Sequence, residues 1–320
     1  MDSYFGNLNF CTYFDKNYLL KGLAMYRSLE RYLKSFSMWI LCFDDLTYEI
    51  LKKLELKNIR LISLREFESG DEDLAQAKLN RTLKEYLWTV TPTLCLFVLK
   101  NNPEIKSITY LDADLLFFKE PCPIYDQFDG SSILIIGHRY FQKYAYLEPL
   151  HGIYNVAMLV FRNDKQGHKC LSWWRQRCNK WCFCRMEDGK FGDQKYLDDW
   201  PVRFEGVVVL GHKGANLAPW NIDNYALSKV DGKVMVDEEE LIFFHYHSTS
   251  QVRDGAIEVP QGYKITKQYL DLIYRPYLKS LCDALSGVRL VCPYFRCGIE
   301  KTNTFRMTKK LFSGKLCLLR

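Results

Sequence analysis

Nowhere in the 320 residues does an apolar run approach the length of about eighteen needed to cross a bilayer. The longest runs, near Cys95–Leu99 and Ile133–Ile136, have the length of core segments. The opening Met1-Asp2-Ser3-Tyr4 has neither a basic n-region nor an apolar h-region, so no signal peptide is expected. Twelve cysteines would imply a disulfide framework only in a short secreted chain; here they are read as reduced, in a cytoplasmic protein. Internal repeats and low-complexity linkers are missing as well, which leaves one large α/β domain or two modest ones.

What the chain does have is a large apolar fraction and an uneven charge. Hydrophobic residues make up 48% and aromatics 15%, enough for a bulky core and for ring-stacking surfaces besides. The net charge of +6 is concentrated in Arg289–Arg320, where eight Lys/Arg face Glu300 alone. The rest is close to neutral, which excludes a nucleic-acid-binding body and leaves a basic tail suited to an anionic partner. From Phe305 to Leu319 the tail interleaves Met307, Leu311, Phe312, Leu316, Leu318 and Leu319 with Arg306, Lys309, Lys310 and Lys315. Two readings stand for it: an interfacial helix on the anionic inner face of a membrane, or a helix packed on the body.

Apolar patterning gives strands at Asn9–Tyr13, Met38–Phe43 and Ile59–Leu64, alternating with helices at Tyr18–Leu33 and Tyr48–Leu56. This β-α-β-α-β order predicts a mostly parallel sheet flanked by helices. Leu83 to Lys100 is a helix expected to break or kink at Pro92. Ser107–Leu111 is a buried strand that delivers Asp112-Ala113-Asp114 at its carboxyl end, where open parallel sheets place ligands. Strands are expected at Ser132–Ile136, Asn155–Phe161, Val207–Leu210 and Leu241–Tyr246, with helices at Gly167–Trp181 and Asp193–Trp200. The composition changes near residue 255, dividing a catalytic unit, 1–255, from a helical and then basic segment, 256–320.

Asp112 and Asp114 sit between an apolar strand and Leu115-Leu116-Phe117-Phe118. Two carboxylates in such a setting call for a cation, hydrogen bonds or solvent. With a diphosphate they could complete the shell of Mg²⁺ or Mn²⁺; a solvated turn is the alternative.

Tyr110-Leu111-Asp112-Ala113-Asp114 resembles the DxD strand of GT-A glycosyltransferases, and of glycosyltransferase family 8 in particular. Four further segments follow in that family's order. Tyr154-Asn155-Val156-Ala157-Met158 resembles its Asn-Ala-Gly strand without the glycine, and Asp193-Gln194 with Leu197 resembles its Asp-Gln-x-x-Leu motif. Leu217-Ala218-Pro219-Trp220-Asn221 and His245-Tyr246-His247-Ser248 complete the set, the latter like His-x-x-Gly with Ser248 in the glycine place. The resemblance implies a GT-A, Rossmann-like fold and a nucleotide-diphosphate sugar donor, a UDP-sugar being favoured. It further implies a glycan or glycolipid acceptor and a metal on Asp112, Asp114 and a histidine. Alternation on a strand would turn His245 and His247 to opposite sides, so that one of them joins the metal; the spacing to Ser248 favours His245, and His212 ranks below both. Asn155, Asp193 and Gln194 would orient the sugar with retention of configuration, although Asp193 could instead be a general base for inversion. Thr12, Tyr13 and Asp15 would hold the nucleoside, if Asp15 is not simply a helix cap. Lys84, near Arg81, would approach the diphosphate, and Trp220 would line the donor site.

The family's phosphate-gripping Lys-Pro-Trp is not reproduced by Thr249-Ser250-Gln251-Val252-Arg253, leaving Arg253 or Lys213 to supply that charge. Cys178, Cys182 and Cys184, with Cys170 and His168 nearby, do not match a structural-zinc spacing; on a helix Cys178 and Cys182 share a face beside Trp174 and Trp181, which fits core packing. A sugar-nucleotide pyrophosphorylase would need a glycine-rich loop after the first strand, and Thr12–Lys16 contains no glycine. A non-catalytic sugar-nucleotide or glycan-binding protein of the same fold is the other rival.

Overall fold

The computed structural model describes residues 7–300 and 315–319. Alternating side chains of the first strands explain its layering. In β1 (Leu8–Phe14) and β2 (Phe36–Cys42), Phe10, Phe14, Met38 and Ile40 enter one apolar layer, while Cys11, Trp39 and Leu41 enter the other. A strand apolar on both faces must be covered on both, and helices do so. Helix α1 (Leu19–Tyr32) lies on the first face. Helix α2 (Asp45–Leu54), capped by Asp44, leads to β3 (Ile59–Ser63). Two short helices, α3 (Leu64–Glu68) and α4 (Glu72–Lys78), precede α5 (Leu83–Asn101), which packs on the second face.

Of the break or kink expected at Pro92, the break does not occur: α5 runs through it. Proline removes one backbone donor, the one that would serve the Trp88 carbonyl, but residues 89–95 are buried. Their packing outweighs the lost hydrogen bond.

Next come β4 (Ser107–Leu111), β5 (Leu115–Phe117), α6 (Cys122–Phe128), β6 (Ile133–Gly137), α7 (Glu148–His151), β7 (Tyr154–Arg162) and α8 (Lys165–Lys180). The helix expected at Asp193–Trp200 is instead a 3₁₀ turn, Gln194–Asp199, running into the four-residue α9 (Trp200–Arg203), followed by β8 (Val207–Leu210). The main sheet has the order β3-β2-β1-β4-β7-β6-β8. Only β7 runs antiparallel to its neighbours, so the carboxyl ends of β1, β4 and β6 and the start of β7 share one edge.

Beyond the sheet, β9 (Leu227–Val230), β10 (Lys233–Val236) and β11 (Glu239–Glu240) form a small antiparallel sheet, and β12 (Phe243–His245) pairs with β5. Residues after 255 join the same body. Strand β13 (Ser250–Arg253) pairs with β14 (Ala256–Glu258), which pairs with β15 (Leu316–Leu318). Helix α10 (Lys267–Tyr269) leads through a π-helical turn into α11 (Arg275–Val291), which packs along α1. Leu316 and Leu318 are thus strand residues, not part of a helix, and residues 301–314 of the basic tail lie outside those described. No described helix is long and apolar enough to cross a membrane.

Candidate active site

The site forms where β4 ends. The Asp112 amide still donates to the Ala157 carbonyl of β7 at 2.9 Å, which fixes the first carboxylate at the sheet edge. The chain then turns through Ala113 and resumes as β5, whose pairing sets His245 opposite Leu115. The Tyr246 amide donates to the Asp114 carbonyl at 2.9 Å and the His245 amide to Leu217 at 2.8 Å. His245 Nε2 consequently lies 3.2 Å from Asp114 Oδ1 and 3.8 Å from Asp112 Oδ2. Among the described residues these three are the group placed to hold a metal ion, with ligand atoms within 4.8 Å of one another.

Electrostatics tie the group together. Burial pushes the Asp112 carboxyl up to about 6 against the pull of His245, while Tyr110 donates to its Oδ1 at 2.9 Å. Burial also works against the charged form of Asp114, but His245 and then Lys21 hold it well below the usual carboxylate range. The His245 imidazole is raised despite its burial, because Asp114 and Asp112 favour its charged form. Its Nδ1 is buried without a partner among the described residues. Two carboxylates and one imidazole are the mixed oxygen–nitrogen donors that suit Mn²⁺ or Mg²⁺, so the residues fit the implied ion.

His247 is not turned away as alternation predicts. Strand β12 ends at His245, and the two imidazoles lie 6.0 Å apart, both against the edge of Trp220. Asp112, Asp114 and His245 converge without it, and His247 lines their rim. Ser248 has φ of 55°, the left-handed backbone that favours glycine, so the residue differs from the family motif while the turn is kept.

Asp193 and Asn155 close a second side. Burial, then the charge of Asp112, pushes the Asp193 carboxyl up to about 8, and Thr91 donates to it at 3.4 Å. Its carbonyl accepts from Trp174 Nε1 at 2.9 Å, and Gln194 starts the adjoining 3₁₀ turn, half-buried. Asn155, opposite Ile136 in the β6–β7 register, points its Nδ2 at His138 Nε2, 3.1 Å away. His138, unmarked in the sequence reading, is a hub of this side. Burial holds it neutral down to about 3, Tyr140 stacks on it at 4.7 Å, and its carbonyl accepts from both Trp220 Nε1 and Asn221 Nδ2 at 2.9 Å. A lone histidine just past the apolar run Ile133–Gly137 is the signal that could have found it.

The remaining candidates are spread around the edge. Tyr13 packs its ring between Phe43 and Tyr110 and shares a hydrogen bond with Thr91 at 3.0 Å. Thr12 points into the opposite layer, buried, its hydroxyl unpartnered among the described residues. Asp15 spends its carboxylate on its own turn, accepting from the Asn17 and Tyr18 amides and the Asn17 side chain. Lys84 is exposed, its ammonium 4.7 Å from the Trp88 ring centre, and its charge reaches His247 and His151. Lys213 is engaged by Asp237 and Glu238, and Arg253 is exposed on β13. Lys21 is the second residue missed. It is the one residue between Leu19 and Tyr26 that is not fully buried, a single cation in an apolar run, and its ammonium lies 3.9 Å from Asp114.

Two proteins of Bacillus subtilis (strain 168) match nearly the whole chain. Uncharacterized protein YfnD is 30% identical over 293 residues, 91% of this chain and 94% of YfnD. Uncharacterized protein YfnF is 31% identical over 293 residues, 89% of this chain and 95% of YfnF. The chain belongs to their family. No family model matches it. Among solved structures, the galactosyltransferase LgtC with donor and acceptor sugar analogs superposes with a TM-score of 0.53 at 15% identity, over 86% of this chain and 96% of LgtC. Mouse xyloside xylosyltransferase 1 in its apo form gives 0.50 at 14%, over 76% of this chain and 98% of the mouse chain. At such identity the likeness is one of fold, and the fold this family member adopts is that of the GT-A glycosyltransferases.

Proposed function

We propose that this chain is a metal-dependent glycosyltransferase that moves a sugar from a nucleotide-diphosphate donor, a UDP-sugar foremost, to a hydroxyl of a glycan or glycolipid. The observation that carries the reading is the convergence of Asp112, Asp114 and His245 at the carboxyl edge of a GT-A sheet, beside buried Asp193 and Asn155. A Mn²⁺ or Mg²⁺ ion held by the three would supply Lewis-acid stabilisation of charge on the departing diphosphate. The galactosyltransferase LgtC, with donor and acceptor sugar analogs bound on this fold, supports a two-substrate site of the same kind.

Asn155 and Gln194 orient the sugar. Burial, the larger of the two causes that push the Asp193 carboxyl up, does not depend on the charge of Asp112 and works against its ionised form. That suits a donor to a sugar hydroxyl better than a base, and supports retention, with the leaving phosphate taking the acceptor's proton, over inversion through Asp193. The test is a hydrolysis screen of common sugar nucleotides with Mn²⁺ present. We expect turnover of at least one donor, lost with EDTA and reduced at least a hundredfold in Asp114→Ala. No turnover of any donor, with Mn²⁺-dependent UDP binding retained, would identify a non-catalytic binding protein instead.

A further inference from the structure

Lys21 is a cation in search of an anion. It is the third residue of α1, and its side chain is 13% exposed. Its ammonium has three donors, and among the described residues none accepts a hydrogen bond from it. Its contacts are a long ion pair to Asp114 Oδ2 at 3.9 Å and the ring of Tyr18, 4.1 Å away. Burying a charge with so little compensation is unfavourable.

The charge balance of the site says what would complete it. Asp112 and Asp114 together match a divalent cation, and the diphosphate of a nucleotide sugar then brings two further negative charges. A divalent cation on Asp114 would weaken its hold on Lys21 and leave the ammonium with its donors unfilled. Of the other cations that the sequence offered for the phosphates, Lys213 is paired with Asp237 and Glu238, Arg253 is exposed on β13, and Lys84 is exposed over the Trp88 ring on the His247 side of the site. Lys21 alone is largely buried against a metal-site carboxylate. We infer that Lys21 is a diphosphate-binding residue of this site, supplying from α1 the phosphate-facing charge that the segment after His245 lacks. The inference rests on the glycosyltransferase reading and adds to it the residue that receives the leaving group.

Inorganic pyrophosphate with Mn²⁺ tests it without assuming a base or a sugar. Titration calorimetry on the full chain should give at least tenfold weaker Mn²⁺–pyrophosphate binding in Lys21→Met, and binding within about threefold of wild type in Lys21→Arg. Mn²⁺ alone should bind Lys21→Met as tightly as wild type or more tightly, because a competing cation beside Asp114 is gone. Equal pyrophosphate binding by wild type and Lys21→Met overturns the inference. So does a loss of Mn²⁺ binding as large as the loss of pyrophosphate binding, which would make Lys21 a mere support for Asp114. A wild-type chain that binds neither Mn²⁺ nor Mn²⁺–pyrophosphate overturns the glycosyltransferase reading itself, and this inference with it.

Discussion

Asp193 is a carboxyl group that the fold keeps from ionising. In the folded, metal-free chain it is pushed up from an ordinary 3.8 to about 8, by burial first and by Asp112 second. Between those values the folded state holds a proton that the unfolded state has released, so this group's stabilising contribution is complete below about 4 and is lost as pH rises through about 8. The Asn side chain has no such cost. In EDTA, the stability of Asp193→Asn relative to wild type should therefore increase between about pH 5 and about pH 9, read from urea midpoints. A difference that stays flat across that range would mean that Asp193 is ionised throughout, and the inverting mechanism would regain its base. Lys21 and His138 belong to the same scale. Neither was legible in the sequence, because a lysine in an amphipathic helix and a histidine after a strand are ordinary until the fold sets them beside Asp114 and Asn155.

Elements were the most legible level. Strand β4 has the bounds that its apolar run implies, because Asp112 interrupts it where burial would otherwise continue. The misreadings came where tertiary contacts outweighed local rules. Pro92 does not break α5, since the buried packing around it holds the helix, and β12 stops at His245, so His247 escapes strand alternation. Helix α5 also joins two parts of the site through one carboxylate. Glu85 Oε2 closes a capping box with the Thr82 amide and hydroxyl, and Glu85 Oε1 accepts from the Cys184 amide at 2.8 Å, in the stretch leading to Asp193. Thr82→Ala removes the cap alone and should cost about 1 kcal/mol. Glu85→Ala removes the cap's return bond and the tether together. It should cost about 2 kcal/mol, three largely exposed bonds to a charged acceptor being lost, and hydrogen exchange at Cys184 should accelerate only in this variant. Equal exchange in both variants would leave Glu85 as nothing more than a cap.

At the scale of the molecule the question is what the residues after 255 do for the site. The composition change there points to an appended segment, and the structure gives that segment contacts with the metal-site elements. Tyr277 of α11 stacks on Tyr246 at 3.7 Å and 12°, one residue from His245, and the Tyr246 hydroxyl donates to the Ile273 carbonyl at 2.8 Å. Helix α11 covers α1, which carries Lys21, and the Gly298 backbone lies so close to the Asn17 carbonyl that no larger residue would fit without displacement. A chain ended at residue 255 would expose Phe244, Tyr246 and the outer face of α1, all otherwise buried. We expect the 1–255 chain to lose cooperative unfolding, bind a hydrophobic dye and bind Mn²⁺ at least tenfold more weakly. Tyr277→Ala is the milder version. Removing one large buried ring should cost about 3–5 kcal/mol while leaving the rest of α11 in place, with Mn²⁺ affinity falling as the His245 strand loosens. If the 1–255 chain instead unfolds cooperatively and binds Mn²⁺ like the full chain, the first 255 residues are a complete domain. The aromatic stack on Tyr246 would then protect the site without building it.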